Sequence, residues 1–274
     1  MIKHPGKIKN KIKLGFTMGE ALVALVFIGF IAVYAIPTLN NQIKWAQYSS
    51  LAKKAKTVLD QGLLKYSQDN GNSIYCGYWK VNPYGGGATC KGYDSKGNCT
   101  GWIFKATGDN IPSDYNGRFD DCKDIYASFL VNMNVVKECS SNAYANGCIP
   151  ENMEGIDTIY KNKNDGVSDF DANKQTAGIS GFRKANIRSG KAFVTADGMI
   201  FIPYGSFSMP ILLVDLNGQK GPNKWGHDIH GFIAKINDLK SNPSFLPYIQ
   251  STAYIEGGGR TTYHLLYGKT HWNI

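Results

Sequence analysis

FTMGEALVALVFIGFIAVYAIPTL, Phe16 to Leu39, is the stretch on which the reading of the whole chain turns. From Ala21 to Ile36 it holds no charge, and Tyr34 alone carries a strong hydrogen-bonding side chain. A helix crossing the ~30 Å hydrocarbon layer of a bilayer needs roughly 20 apolar residues, and the run counted from Phe16 reaches that length. Glu20 interrupts it. A carboxylate in the bilayer costs about 2.5–3.5 kcal/mol on insertion scales, so Glu20 calls for a partner. Lys11 and Lys13, on the far side of Gly15, can reach it by snorkelling. A cut between Gly15 and Phe16 supplies another: a new α-amino group one helical turn from the carboxylate at i+4. Between neighbouring helices the same pairing would fix their axial stagger.

A Lys-rich leader, Gly15, then Phe16, Thr17 and Glu20 ahead of a long apolar run with Pro37 near its end resembles the class III signal of type IV pilins and type II secretion pseudopilins. The resemblance covers about 25 residues closely, and G-F-T-x-x-E before an apolar run is rarely produced by chance. It implies that a prepilin peptidase cuts after Gly15 and methylates the Phe16 amine, and that Glu20 guides subunits into a helical filament. It also implies that Pro37 kinks or locally melts the helix. The implied partners are other pilin-like subunits, the peptidase, the membrane and a secretion or pilus assembly machinery. Two plainer readings use the same residues. A simple single-pass anchor has no need of Glu20, and an ordinary secretory signal would use Val33 and Ala35 as small residues before a cut ahead of Ile36.

The chain has 274 residues and a formal charge of +9, but Lys3, Lys7, Lys9, Lys11 and Lys13 precede the first acidic residue. Without residues 1–15 the remainder carries +4, and nucleic acid as a partner loses most of its support. Orientation from charge is weak, because Lys44, Lys53, Lys54 and Lys56 nearly balance the leader lysines. The cysteines orient the chain better. Cys76, Cys90, Cys99, Cys122, Cys139 and Cys148 all follow the apolar run, and none forms a C-x-x-C pair. That suits disulfides in an oxidising compartment and puts the C-terminal part outside the cytoplasm. Six cysteines allow fifteen pairings, and sequence does not choose among them. Nine-residue spacings around turns containing Gly or Asn favour Cys90 with Cys99 and Cys139 with Cys148, leaving Cys76 for Cys122.

After Pro37 the pattern changes to an amphipathic helix. Ile43, Ala46, Leu51, Ala55, Val58, Leu59, Gly62, Leu63 and Tyr66 fall mostly at three- and four-residue spacings, opposite a polar side with Lys53, Lys56, Asp60 and Lys65. Helix from Phe16 to about Tyr66 would make a rod of roughly 75 Å, stopped by Asp69, Asn70 and Gly71. From Lys191, KAFVTADGMIFIP reads as two strands around an Asp197-Gly198 turn, and ILLVDLNG follows as a third. Further strands are expected around His230 to Ala234 and Thr252 to Ile255. The expected fold is α+β, with a long N-terminal helix, membrane-spanning in its first half, packed on a small antiparallel sheet with a disulfide-stapled, loop-rich insertion. The divisions are a leader over 1–15, a membrane and filament-core helix over 16–39, a stem over 40–70, a cysteine-rich region over 71–190 and a sheet region over 191–274. The C-terminal stretch also resembles pseudopilin heads, where a D-x-N-G turn follows a central strand. Its extra length and cysteine-rich insertion leave open whether the chain is a main or a minor subunit.

In DLNGQKGPNKWGHD, oxygen-bearing side chains recur at Asp215, Asn217, Gln219, Asn223 and Asp228. Hard cations such as Ca²⁺ take six to eight oxygens from flexible loops. The loop is no EF-hand, because Gly226 occupies the twelfth position, where a bidentate Glu is needed. The resemblance to pseudopilins, some of which hold calcium in a C-terminal loop, makes Asp215, Asn217 and Asp228 candidate ligands. The competing reading is a turn in which Asp215 and Asn217 bond their own backbone. His227, Asp228 and His230 fit a turn entering a strand better than a zinc site. With no H-E-x-x-H, G-x-S-x-G or G-x-x-x-x-G-K, the chain is not read as an enzyme.

Overall fold

The computed structural model describes residues 17–69, 77–79, 88–95, 99–104, 107–112, 118–120, 126, 133–167, 171–176, 179–204, 211–235, 243–248, 254 and 257–269. Gly15, Phe16, Cys76 and Cys122 lie outside them, as do Asn70 and Gly71.

The expected long helix is present as α1, Met18–Asp69, and it runs unbroken through Pro37. A proline inside a helix withholds one N–H from the ladder, and Thr38 Oγ1 adds a bond to Tyr34 O at 3.1 Å in the same turn. The boundary between the chain's two units falls between Ala46 and Gln47. In the first unit the apolar side chains are bare, from Leu22, Val23 and Leu25 on to Ile36 and Leu39. Among the described residues this helix is long and apolar enough to cross a membrane, by length and composition.

In the second unit the helix buries one stripe, Tyr48, Ala52, Ala55, Leu59, Gly62, Leu63 and Ser67, at alternating steps of about three and four. The stripe begins at Tyr48, later than Ile43, which is 47% exposed. Polar contacts pin this half to the sheet region: Lys54 Nζ to Asp197 Oδ2 at 2.6 Å, Phe245 N–H to Asp60 Oδ1 at 2.6 Å, and Ser49 Oγ to Leu265 O at 2.6 Å.

The sheet is an antiparallel meander in the order β10-β9-β8-β7-β6-β5. Its strands are β5 Val135–Cys139, β6 Ala192–Thr195, β7 Ile200–Pro203, β8 Ile211–Asp215, β9 Ile229–Lys235 and β10 Ser244–Pro247. Strands β7 and β8 are buried along their whole length, so both faces of the sheet are covered. Side chains alternate along a strand. Ile200, Ile202, Ile211, Leu213 and Ile229 therefore share one face, against Met153, Ile156, Ile159, Phe182 and Ile187. Short helices α2 Ile156–Lys163, α3 Ala172–Gln175 and α4 Lys184–Ser189 supply much of that layer, and α5 Thr262–Tyr267 lies near the C-terminus. Phe193, Phe201, Leu212, Val214 and Phe232 present the opposite face.

Strands β6 to β9 stand where the sequence puts them. The edge beside β9 is different. It is β10, with Phe245 fully buried, and Tyr254, the described residue of the expected Thr252 to Ile255 strand, is helical. The cysteine-rich region also contributes to the sheet through β5, which pairs with β6. Elsewhere that region forms two small antiparallel pairs, β1 Gly77–Trp79 with β4 Arg118–Asp120 and β2 Ala88–Tyr93 with β3 Cys99–Phe104. Cys90–Cys99 ties β2 to the start of β3, and Cys139–Cys148 closes the loop after β5. Both are the nine-residue pairings expected from sequence; the Cys76 with Cys122 pairing falls outside the described residues.

Candidate functional site

Two places gather the side chains that the sequence singles out. At the start of α1, Glu20 Oε2 accepts from the Thr17 N–H and from Thr17 Oγ1, both at 2.9 Å, while the Glu20 N–H donates to Thr17 Oγ1 at 3.3 Å. This is a capping box: the hydroxyl at the helix start and the carboxylate three residues on satisfy each other's backbone donors. The T-x-x-E spacing was there to be read, and it gives Glu20 a local role besides any pairing with a chain end. Glu20 is exposed, as are the apolar side chains that follow it.

The second place is the loop between β8 and β9. Asp215 closes β8 and is fully buried; its Oδ1 accepts from the N–H groups of Asn217 at 3.2 Å and Gly218 at 2.8 Å. The expected backbone-bonding turn is therefore present. Gly218 has φ +65, and a Cβ there would stand 1.9 Å from Gly198 O, so only glycine lets the loop lie against the β6–β7 turn. Asp228, also fully buried, spends Oδ2 on the Asn223 N–H at 2.8 Å and Oδ1 on the Lys224 N–H at 2.7 Å. It braces the loop from the far end. Burial holds both carboxyls above the usual range, and the neighbouring Asp228 charge pushes Asp215 further. Burial and the fields of Asp228 and Asp215 also raise Tyr48 on the stem to about 12.

Asp215 leaves Oδ2 for the loop interior, where the side-chain amide of Asn223 meets it. Asn223 is 1% exposed. One end of its amide lies 3.0 Å from Asp215 Oδ2, 2.9 Å from Gly218 O and 3.2 Å from Lys220 O. Oxygen and nitrogen of an amide can exchange places without changing its shape. With nitrogen at that end, it donates to the three oxygens. Oxygen there would face three further oxygens with no proton between them, so the NH₂ group takes that end and the inward oxygens of the loop are hydrogen-bonded by Asn223 itself. The buried Asn217 Oδ1 has no hydrogen-bond partner, while Asn217 Nδ2 donates to Gly221 O at 3.2 Å. Asp215 Oδ2, Gly218 O and Lys220 O are the oxygens that turn inward, and the Asn223 amide ties them together. Asn223 is thus at the centre and Asp228 in a bracing role. Carbonyl oxygens leave no mark in a sequence, which is why the convergence was not legible there. No group of three His, Cys, Asp or Glu side chains able to hold a metal occurs among the described residues. The ring nitrogens of fully buried His230 face Thr262 Oγ1 and His227 O, each at 3.2 Å, and burial lowers its pKa to about 4. It is a core histidine.

The loop is anchored to the segment after Cys148. Gln219 Nε2 donates to Cys148 O at 3.4 Å, the Glu154 N–H to Asn223 O at 3.0 Å, and Trp225 Nε1 to Glu154 O at 3.1 Å. Trp225, fully buried, packs its ring against Tyr254 and Phe182 at 5.6 and 6.1 Å. Compared with known proteins, the chain matches no protein-family model, no curated protein and no solved structure.

Proposed function

We propose that the chain is a pilin-like structural subunit of a type IV pilus or type II secretion pseudopilus. In this reading prepilin peptidase cuts after Gly15 and methylates Phe16, and the protein then rests in the bacterial cytoplasmic membrane with its C-terminal part outside. From there the bare apolar half of α1 assembles with its counterparts into a filament core. The observation that carries the reading is the division of one helix. Its N-terminal half exposes every large apolar side chain from Leu22 to Leu39 and holds one carboxylate at Glu20, whereas from Tyr48 its buried stripe belongs to a folded α+β unit. A soluble protein gains nothing from such a surface. The disulfides Cys90–Cys99 and Cys139–Cys148 support an extracytoplasmic location.

The second part of the proposal is a calcium ion in the β8–β9 loop, where it would displace the Asn223 NH₂ group from Asp215 Oδ2, Gly218 O and Lys220 O. It would neutralise the buried Asp215 and fix the loop against β6–β7 and the Cys148 to Glu154 segment. This is a structural role and requires no chemistry of the metal.

Gly15→Leu tests the processing step. Co-expressed with a prepilin peptidase, the variant is expected to keep its leader while the parent chain loses residues 1–15, a mass difference read directly by intact mass spectrometry. Equal trimming of both chains would remove the peptidase from the account.

A further inference from the structure

Of the polar contacts that pin the stem to the sheet region, the first along α1 belongs to α5: Ser49 Oγ donates to Leu265 O at 2.6 Å, ahead of Lys54 with Asp197 and Asp60 with Phe245. Ser49 comes six residues, about 9 Å of helix, after Ile43, the last bare large apolar side chain of the first unit. The headgroup layer of a bilayer adds roughly 5–8 Å beyond the hydrocarbon on each side. Lys44 and Trp45 stand in that interval, with Lys44 Nζ 5.7 Å from the Trp45 ring centroid, a basic and amphipathic pair suited to a membrane surface. The chemistry of α5 is of the same kind. Thr262, Leu265 and Leu266 turn into the core, and Thr261 Oγ1 caps the helix by accepting from the His264 N–H at 3.0 Å. Tyr263 and Tyr267, four residues apart, bring their rings to 4.8 Å, and Tyr267 is 47% exposed. From Gly257 to Lys269 the chain carries Arg260 and Lys269 and no acid, and α1 carries no acid from Ala21 to Leu59.

We propose that α5 docks on anionic lipid headgroups at the extracytoplasmic surface of the membrane, through Tyr267, Arg260 and Lys269. This rests on the membrane-spanning reading of α1 above. A tyrosine at such a surface keeps its ring apolar and its hydroxyl wet. Each basic side chain beside a negatively charged lipid surface adds an attraction that a neutral surface does not offer. A second copy of the chain is the poorer occupant, because pairing two such surfaces sets positive charge against positive charge. The subunit is then held at the membrane in two places before it enters a filament, by its span and by α5.

The test places the full-length chain in nanodiscs, one set of POPG and one of POPC, and reads hydrogen exchange of the 261–268 amides by mass spectrometry. Exchange is expected to be more than about tenfold slower in POPG, the joint effect of two basic side chains. The difference should vanish in 1 M KCl, where the Debye length falls to about 3 Å. Lys269→Gln should reduce the POPG protection roughly fivefold, the worth of one charge at an anionic surface, and Lys269→Arg should keep it. Lys269 is exposed and lies beyond the end of α5, so neither change disturbs the helix. Equal exchange in the two lipids would overturn the docking and leave the span standing. Protection that rises with the number of chains per nanodisc, whatever the lipid charge, would assign the surface to a second subunit and overturn the docking as well. A parent chain retained in neither nanodisc would overturn the membrane reading with it.

Discussion

Glu20→Ala should insert into the membrane as well as the parent chain and fail to enter filaments. Insertion does not suffer, because removing a carboxylate from the apolar stretch relieves a cost of about 2.5–3.5 kcal/mol. Assembly suffers because, in the proposed filament, the carboxylate meets a neighbouring chain's methylated amine in a low-dielectric environment. Stripping one partner from a buried ion pair costs about 3–5 kcal/mol, a loss of roughly two to four orders of magnitude in incorporation. The capping box complicates a single variant, since Glu20 also accepts from Thr17 at the helix start, and losing a cap costs ~1 kcal/mol. Glu20→Gln separates the two, because glutamine serves a capping box but carries no charge. Filament yield from sheared cells should be absent for both variants; assembly of the Gln variant would assign Glu20 to the cap alone.

Asp215→Ala should remove calcium binding. Losing the one carboxylate among the converging oxygens is expected to weaken affinity more than ~100-fold, beyond the 10–100-fold typical of outer-shell changes. Calorimetry of full-length parent and variant with CaCl₂ reads this directly, and equal heats would reduce the loop to a turn. Without calcium, pH gives a second signature. A carboxyl raised above its unfolded value keeps its proton in the fold while the unfolded chain releases its own. Stability from Asp215 is therefore fully present below the usual carboxylate pKa of about 4 and is lost as pH climbs toward the raised value. The loss should vanish in Asp215→Asn, which carries no charge to bury, and in the calcium-saturated parent, where the ionised form is favoured. Comparison with the Asn variant removes the opposite trend from His230, whose lowered pKa costs stability as pH falls below about 6.5.

What the sequence disclosed and what it hid follow one physical division. Helical spacing carried α1 to its end at Asp69, and alternation with a Gly turn carried β6 through β9, because burial writes a regular pattern over several residues. The two described disulfides are pairings that short spacings across turns favoured without fixing. Short edge elements escaped. VVKEC has three exposed positions out of five, and SFLP ends in proline, so neither β5 nor β10 shows the pattern of a buried strand. In the loop, Asp215 and Asn217 were legible as oxygen donors. Asn223 emerged as the centre only once the carbonyls of Gly218 and Lys220 were seen to turn inward.

The proposed assembly depends on a chain end created beside Glu20, and sequencing the N-terminus of the mature protein recovered from membranes tests it most directly. The account predicts Phe-Thr-Met-Gly-Glu from Phe16, with one methyl group on the first amine. A mature chain beginning at Ile36, or one still carrying Met1, would contradict it and leave an exported or simply anchored protein.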